Sequence, residues 1–216
     1  MNEKKVLLLV GPESSGTRIL VDVLSQHPSI NGSSDAVETH RDSCDDAWRL
    51  LEKGDETQAG DVVAELFETT DMLVTRRSLP HGSEGAAAEY LRFPDLDAFL
   101  RLSFAHGWEV VVLLTYRSAV PNLMSWTQKR QSVQGNFEHA VAQYHAAYRH
   151  VFNVLNKYQN VSFYFISVDS LVLDGEPYME SIYQLLGLPS YRPRFVAKED
   201  ANKKWYGIFL KAKGRK

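Results

Sequence analysis

Lys5–Leu20 reads KVLLLVGPESSGTRIL, and its character changes twice along those residues. Val6–Val10 is an unbroken apolar run of β-favouring residues, the composition of a strand buried on both faces of a parallel sheet. Gly11 and Pro12 stop it, and Ser14, Ser15 and Gly16 form a small polar turn. From Thr17 the apolar spacing becomes helical, with Ile19, Leu20, Val23 and Leu24. Strand, tight loop and helix N-terminus together aim backbone N–H groups and the positive end of a helix dipole at one point. That is an anion site for phosphate or sulfate. The plainer alternative is an ordinary strand-to-helix turn, because Gly and Ser are common in turns.

Gly11-x4-Gly16 has the glycine spacing of a P-loop, and GPESSG resembles the start of a Walker A nucleotide loop. That loop continues with Lys and then Ser or Thr. Here the two positions are Thr17 and Arg18. The point charge that reaches the outer phosphates is missing from its usual place, so the loop reads as built for an anion but not for ordinary ATP chemistry.

The 216 residues suffice for one α/β domain with a sizeable core, and 44% hydrophobic residues is a globular composition. A net charge of −3 gives no basic field that would argue for nucleic acid. The single cysteine, Cys44, excludes a disulfide within the chain and fits a reducing, cytoplasmic setting. It reads as a plain buried or half-exposed thiol. The apolar run after Lys4 and Lys5 is too short for a signal peptide, and no stretch approaches the roughly 18–20 apolar residues of a membrane span. The expectation is a soluble protein without targeting information, one domain over 1–216.

Further along, Val37–Arg41 (VETHR) concentrates ionisable groups near the anion loop. Asp42 or Ser43 can cap a helix with Asp45 and Asp46 in its first turn and an apolar face at Trp48 and Leu51. Glu52–Gly60 reads as polar and loose, and Val62–Phe67 as a short helix. Met72–Thr75 reads as a second buried strand running into Arg76-Arg77-Ser78-Leu79-Pro80-His81-Gly82. Those cations are either ligand-facing at a strand's carboxyl end or part of a solvated loop. Leu96–Phe104 supports a helix.

Trp108–Tyr116, WEVVVLLTY, is the strongest strand and is expected to be central and parallel, with Arg117 directly at its end. A helix over Ser118–Gln131 follows, with Pro121 in its first turn and Ser125 eight residues after Arg117. Asn136–Tyr158 is a long amphipathic helix whose aromatic stripe reads as core. Val161–Ile166 is another strand, and Glu176–Leu186 a helix stopped by Gly187 and Pro189. The tail from Lys198 is basic and aromatic; Lys203 and Lys204 either close over a ligand or are solvated. Alternating strands and helices give an α/β three-layer α/β/α sandwich with a mostly parallel sheet, P-loop NTPase-like. Right-handed crossovers would put the anion loop and Arg117 on one sheet edge.

Three pieces in order resemble the sulfotransferases that use 3′-phosphoadenosine 5′-phosphosulfate (PAPS). Ser14–Thr17, SSGT, resembles their 5′-phosphosulfate loop. VVVLLTYR with Ser125 resembles the 3′-phosphate motif, in which an Arg after a strand and a Ser on the next helix hold that phosphate. FISVDSLVLDGEP…LLGLP from Phe165 to Pro189 is similar to the family's later strand, turn and helix. The resemblance implies PAPS as donor, the bisphosphate PAP as product, and no metal. It assigns Ser14, Ser15, Gly16, Thr17, Arg18, Arg117, Ser125, Lys203 and Lys204 to donor binding. Ser14 stands where the family carries a basic residue, and Arg18 where it carries a second hydroxyl. Arg18 either supplies the missing charge to the sulfonate or turns away into a salt bridge. The acceptor's base is one of Glu38, His40 and His81; in the family's KTHLP-like loop the residue in register with the base is Ser78. The acceptor is a small molecule or glycan, bordered by Asn31–Asp42, Arg76–Gly85 and Gln128–Asn136. Two other readings stand beside this one: a P-loop kinase or NTPase, for which Asp169 is the nearest candidate to hold Mg²⁺, and a non-catalytic nucleotide-binding member of the same fold.

Overall fold

The computed structural model describes residues 3–32, 43–80, 93–129, 136–194 and 201–213. The opening apolar run is strand β1 (Lys5–Pro12), and Val6–Val10 are shut away from water. Their side chains alternate, as a strand's must. Val6, Leu8 and Val10 enter one apolar cluster, and Leu7 and Leu9 enter another. Full burial of each contributes roughly 1.5–3 kcal/mol.

β2 (Met72–Leu79) and β3 (Glu109–Tyr116) flank β1, and β4 (Ser162–Ser167) lies beyond β3. The order is β2-β1-β3-β4 with every pairing parallel. The helices, in chain order, are α1 (Thr17–Leu24), α2 (Asp45–Glu52), α3 (Glu56–Leu66), α4 (Leu96–Ala105), α5 (Ala119–Lys129), α6 (Phe137–Leu155), α7 (Val168–Asp174), α8 (Glu176–Leu185) and α9 (Ala201–Lys213). Leu20 and Leu24 of α1, Leu171 of α7 and Met179 and Ile182 of α8 cover the Leu7–Leu9 face. Trp48 of α2, Val63 of α3, Phe99 of α4 and Val151 of α6 cover the other. This is the three-layer α/β/α sandwich expected from the alternation of elements, with the Trp108–Tyr116 run as one of the two inner strands.

Four local expectations are corrected. Glu52–Gly60 is not loose: the Asp55 side chain accepts from Gln58 N at 3.0 Å and starts α3 there, burying Ala59 and Gly60. The cap position of α2 is Cys44, buried and without a side-chain cap bond, rather than Asp42 or Ser43. The aromatic stripe of α6 is core only in part, since Val151 and Leu155 are buried while Phe137 at its start is exposed.

The fourth concerns the arginines. β2 runs on through Arg76 and Arg77 to Leu79. Arg77 is 7% exposed, pairs with Asp45 at 2.9 Å and lies over the Trp48 ring at 4.5 Å. Trp48 in turn stacks on Phe99 and donates from Nε1 to Thr75 Oγ1 at 3.0 Å. A planar guanidinium can stack and pair at once, which lets it sit between a strand and a helix. Arg77 is thus neither ligand-facing nor solvated.

Candidate active site

In an all-parallel sheet the carboxyl ends of β1, β3 and β4 share one edge, and the loops that leave them meet there. The β1 loop turns through Ser14, a non-glycine residue at φ 64, and Gly16 at φ 93. Gly16 caps α1. A side chain there is excluded twice: the left-handed backbone disfavours it, and a Cβ would lie 2.7 Å from Val168 Cγ1. The loop therefore rests directly against the start of α7. The first N–H groups of α1 have no partner within the helix and point out of its end.

Ser15 is 1% exposed, and its Oγ is hydrogen-bonded to Thr115 Oγ1 of β3 at 2.8 Å. Thr17 is also buried, with its hydroxyl 3.0 Å from Ser78 Oγ at the end of β2. Ser78 thus lies beside the anion loop. Arg18 is half-buried, one helical turn before Asp22. Burial pushes the Asp22 carboxyl up to about 6, against the opposing pull of Arg18 and Arg76. Its Oδ1 is buried without a hydrogen-bond partner among the described residues.

Arg117 stands where β3 ends, and its Nη1 lies 3.4 Å from the Ser14 carbonyl oxygen. Arg117 is therefore adjacent to the anion loop. Ser125 on α5 is 3% exposed and makes no side-chain hydrogen bond with the described residues. Lys203 and Lys204 are exposed on α9, a helix packed on α5, with Trp205 buried and Lys204 Nζ over its ring at 5.0 Å. Glu38, His40 and His81 lie outside the described residues, as do 33–42, 81–85 and 130–135 of the loops expected to border the acceptor.

Several residues that bind these pieces together are not expected in that role from the sequence; only Asp169 is singled out there, as a candidate to hold Mg²⁺. Asn122 of α5 is fully buried; with its amide turned to satisfy both neighbours, it donates to Glu13 O at 3.1 Å and accepts from Ser15 N at 3.2 Å. Asp169 of α7 accepts from Ser118 N at 2.7 Å and Ser118 Oγ at 2.6 Å through one oxygen, and from Asn202 Nδ2 at 2.6 Å through the other. Asn202 of α9 accepts from Arg117 Nε at 2.7 Å. Proximity of residues far apart in sequence leaves no periodicity to read. Only the polar types after strand ends hinted at them.

The arrangement suits anions: N–H groups at one helix end, with the Arg117 guanidinium beside the loop. No group of three or more His, Cys, Asp or Glu residues suited to a metal occurs among the described residues, and no described helix is long and apolar enough to cross a membrane.

The arrangement is that of the sulfotransferase fold, a P-loop-like α/β architecture. The sulfotransferase domain of the Synechococcus PCC 7002 olefin synthase aligns with 97% of this chain and 83% of its own, at a TM-score of 0.58 and 13% identity. A sulfotransferase from Alicyclobacillus acidocaldarius aligns with 95% of this chain and 91% of its own, at a TM-score of 0.47 and 16% identity. No family model and no curated protein matches the sequence.

Proposed function

We propose that the protein is a PAPS-dependent sulfotransferase, acting as one cytoplasmic domain on a hydroxyl or amine of a small-molecule or glycan acceptor. One observation supports this above the others: Arg117, from the end of β3, lies against the Ser14 carbonyl in the loop after β1. A cation suited to a 3′-phosphate thereby sits beside a loop suited to a 5′-phosphosulfate.

In this reading the N–H groups at the start of α1, with Gly16 and the Ser14 and Thr17 hydroxyls, hold the 5′ end. Arg117 and Ser125 hold the 3′-phosphate, and Lys203 and Lys204 add positive charge from α9. Arg18 supplies the charge that Ser14 lacks. Bound PAPS supplies an activated sulfonate, whose sulfur–oxygen bond to the 5′-phosphate breaks as the acceptor oxygen bonds to sulfur. The chain's own contribution is positioning and electrostatic stabilisation of the departing phosphate oxygen. The acceptor's proton passes to one of Glu38, His40 or His81. No metal is required.

Thermal shift is the direct test. PAP is expected to raise the Tm, and ATP or AMP much less. An equal response to ATP would overturn the reading in favour of a P-loop kinase or NTPase. Ser14, at the position of the family's basic residue, favours a second reading, a non-catalytic nucleotide binder. Transfer of labelled sulfonate from PAPS to any acceptor eliminates it.

A further inference from the structure

Arg117 does not stand alone at the end of β3. Its Nε donates to Asn202 Oδ1, Asn202 Nδ2 donates to Asp169 Oδ1, and Asp169 Oδ2 accepts from both the amide and the hydroxyl of Ser118. The relay closes on itself, because Ser118 follows Arg117 in the chain. It draws on three elements: the β3–α5 turn, the first turn of α7 and the first turn of α9. An amide between a donor and an acceptor has one satisfied orientation. Asp169, which can only accept while ionised, turns the nitrogen of Asn202 toward itself and its oxygen toward Arg117. A guanidinium held at Nε has its plane fixed, and its bidentate contacts with a phosphate depend on that plane.

We propose that Asp169 and Asn202 are positioning residues that fix the guanidinium plane of Arg117, and so set the discrimination between a 3′,5′-bisphosphate nucleotide and its 5′-monophosphate. The role rests on the donor-binding reading given above. It makes docking of α9 part of nucleotide selection, because the α9 side chain is the middle member of the relay.

Asp169→Asn separates this role from packing. The substitution keeps shape. The oxygen of the new amide satisfies Ser118, and its nitrogen then faces Asn202 Nδ2. Asn202 turns over to accept from it, which sets Asn202 Nδ2 against Arg117 Nε, donor against donor. A change at Asp169 is thus felt at Arg117 through Asn202. Two measurements test this on the full chain. In side-chain ¹⁵N–¹H spectra, the Arg117 Nε–H resonance of the unliganded protein is expected to shift or broaden in Asp169→Asn; an unchanged resonance overturns the relay, whatever the protein binds. In calorimetric titrations, Asp169→Asn and Asn202→Ala are each expected to weaken PAP about tenfold while leaving AMP within twofold, and the double variant to be no weaker than Asn202→Ala alone. Equal loss for AMP, or additive losses in the double variant, overturns the positioning role. If the native chain binds PAP no more tightly than AMP, the 3′-phosphate reading itself fails and takes the discriminating role with it, and the spectra still decide the relay.

Discussion

The hydroxyls of Ser15 and Thr115 lie 2.8 Å apart, a bond between residues 100 positions apart that ties the anion loop to the neighbouring strand β3. Thr115 Oγ1 also lies 3.2 Å from the Val10 carbonyl, to which it donates, so the Ser15 hydroxyl is the donor to Thr115. Thr115→Val keeps the shape and removes both contacts, leaving Ser15 Oγ buried without a partner. A loss of about 1–3 kcal/mol in urea unfolding is expected; a change inside the error of the transition would show that the loop does not depend on this bond.

Gly16→Ala meets two obstacles, the φ of 93° and the Val168 side chain at 2.7 Å. The backbone penalty alone is roughly 1–2 kcal/mol, and the steric one adds to it. The variant is expected to lose at least that much stability by chemical denaturation and to bind PAP more weakly, since α1 can no longer start where it does. Native stability and affinity in this variant would contradict the loop geometry.

Arg117→Ala is expected to weaken PAP binding by about 1.5–3 kcal/mol, the range for hydrogen bonds to a charged group. Titration calorimetry reads this directly, and an unchanged dissociation constant removes Arg117 from the 3′-phosphate site.

Arg77→Ala should behave in the opposite way. Its guanidinium is buried between Asp45 and Trp48. Removing it strands a carboxylate and uncovers the ring, at a cost of roughly 2–4 kcal/mol in stability, with PAP affinity unchanged once the folded fraction is allowed for. A selective loss of affinity without loss of stability would return Arg77 to the ligand site.

Asp22 gives a pH-dependent prediction. Its carboxyl is raised from 3.8 to about 6 by burial, so the native state takes up its proton before the unfolded chain does. The stability linked to that proton is present below about pH 4 and is lost as the pH rises through about 6. Asp22→Asn carries no such loss. Its Tm relative to the native chain is expected to be higher at pH 8 and to converge on it at pH 4; an offset that is the same at both pH values would rule out this titration as its cause.

The chain states its fold openly and its site only in part. The apolar runs of β1 and β3 carry the parallel sheet in their composition, because burial on both faces leaves no room for polar alternation. The glycine spacing around Ser14–Ser15 and the placement of Arg117 likewise mark the sheet edge where they meet. The reach of β2 was harder to read, because Arg76 and Arg77 look like a loop until Trp48 and Asp45 are seen beside them. α3 was obscured by its own polar face, with Asp55 as a start signal among other acidic residues. Asn122 and Asn202 were illegible for a different reason, and Asp169 was legible only as a strand-end acid: each matters through partners far away in sequence, which no local pattern encodes.

The central place of β1 has a consequence for the chain as it is made. Val6–Val10 emerge from the ribosome well before the residues they pair with, Leu73–Arg77 on one side and Val110–Leu114 on the other. Until Glu109–Tyr116 is synthesised, the nascent chain exposes an uncharged five-residue apolar segment with one flank unpaired. Such segments are where chaperones bind and where incomplete chains aggregate. The same burial that places β1 inside the finished sheet leaves it a vulnerable segment during synthesis.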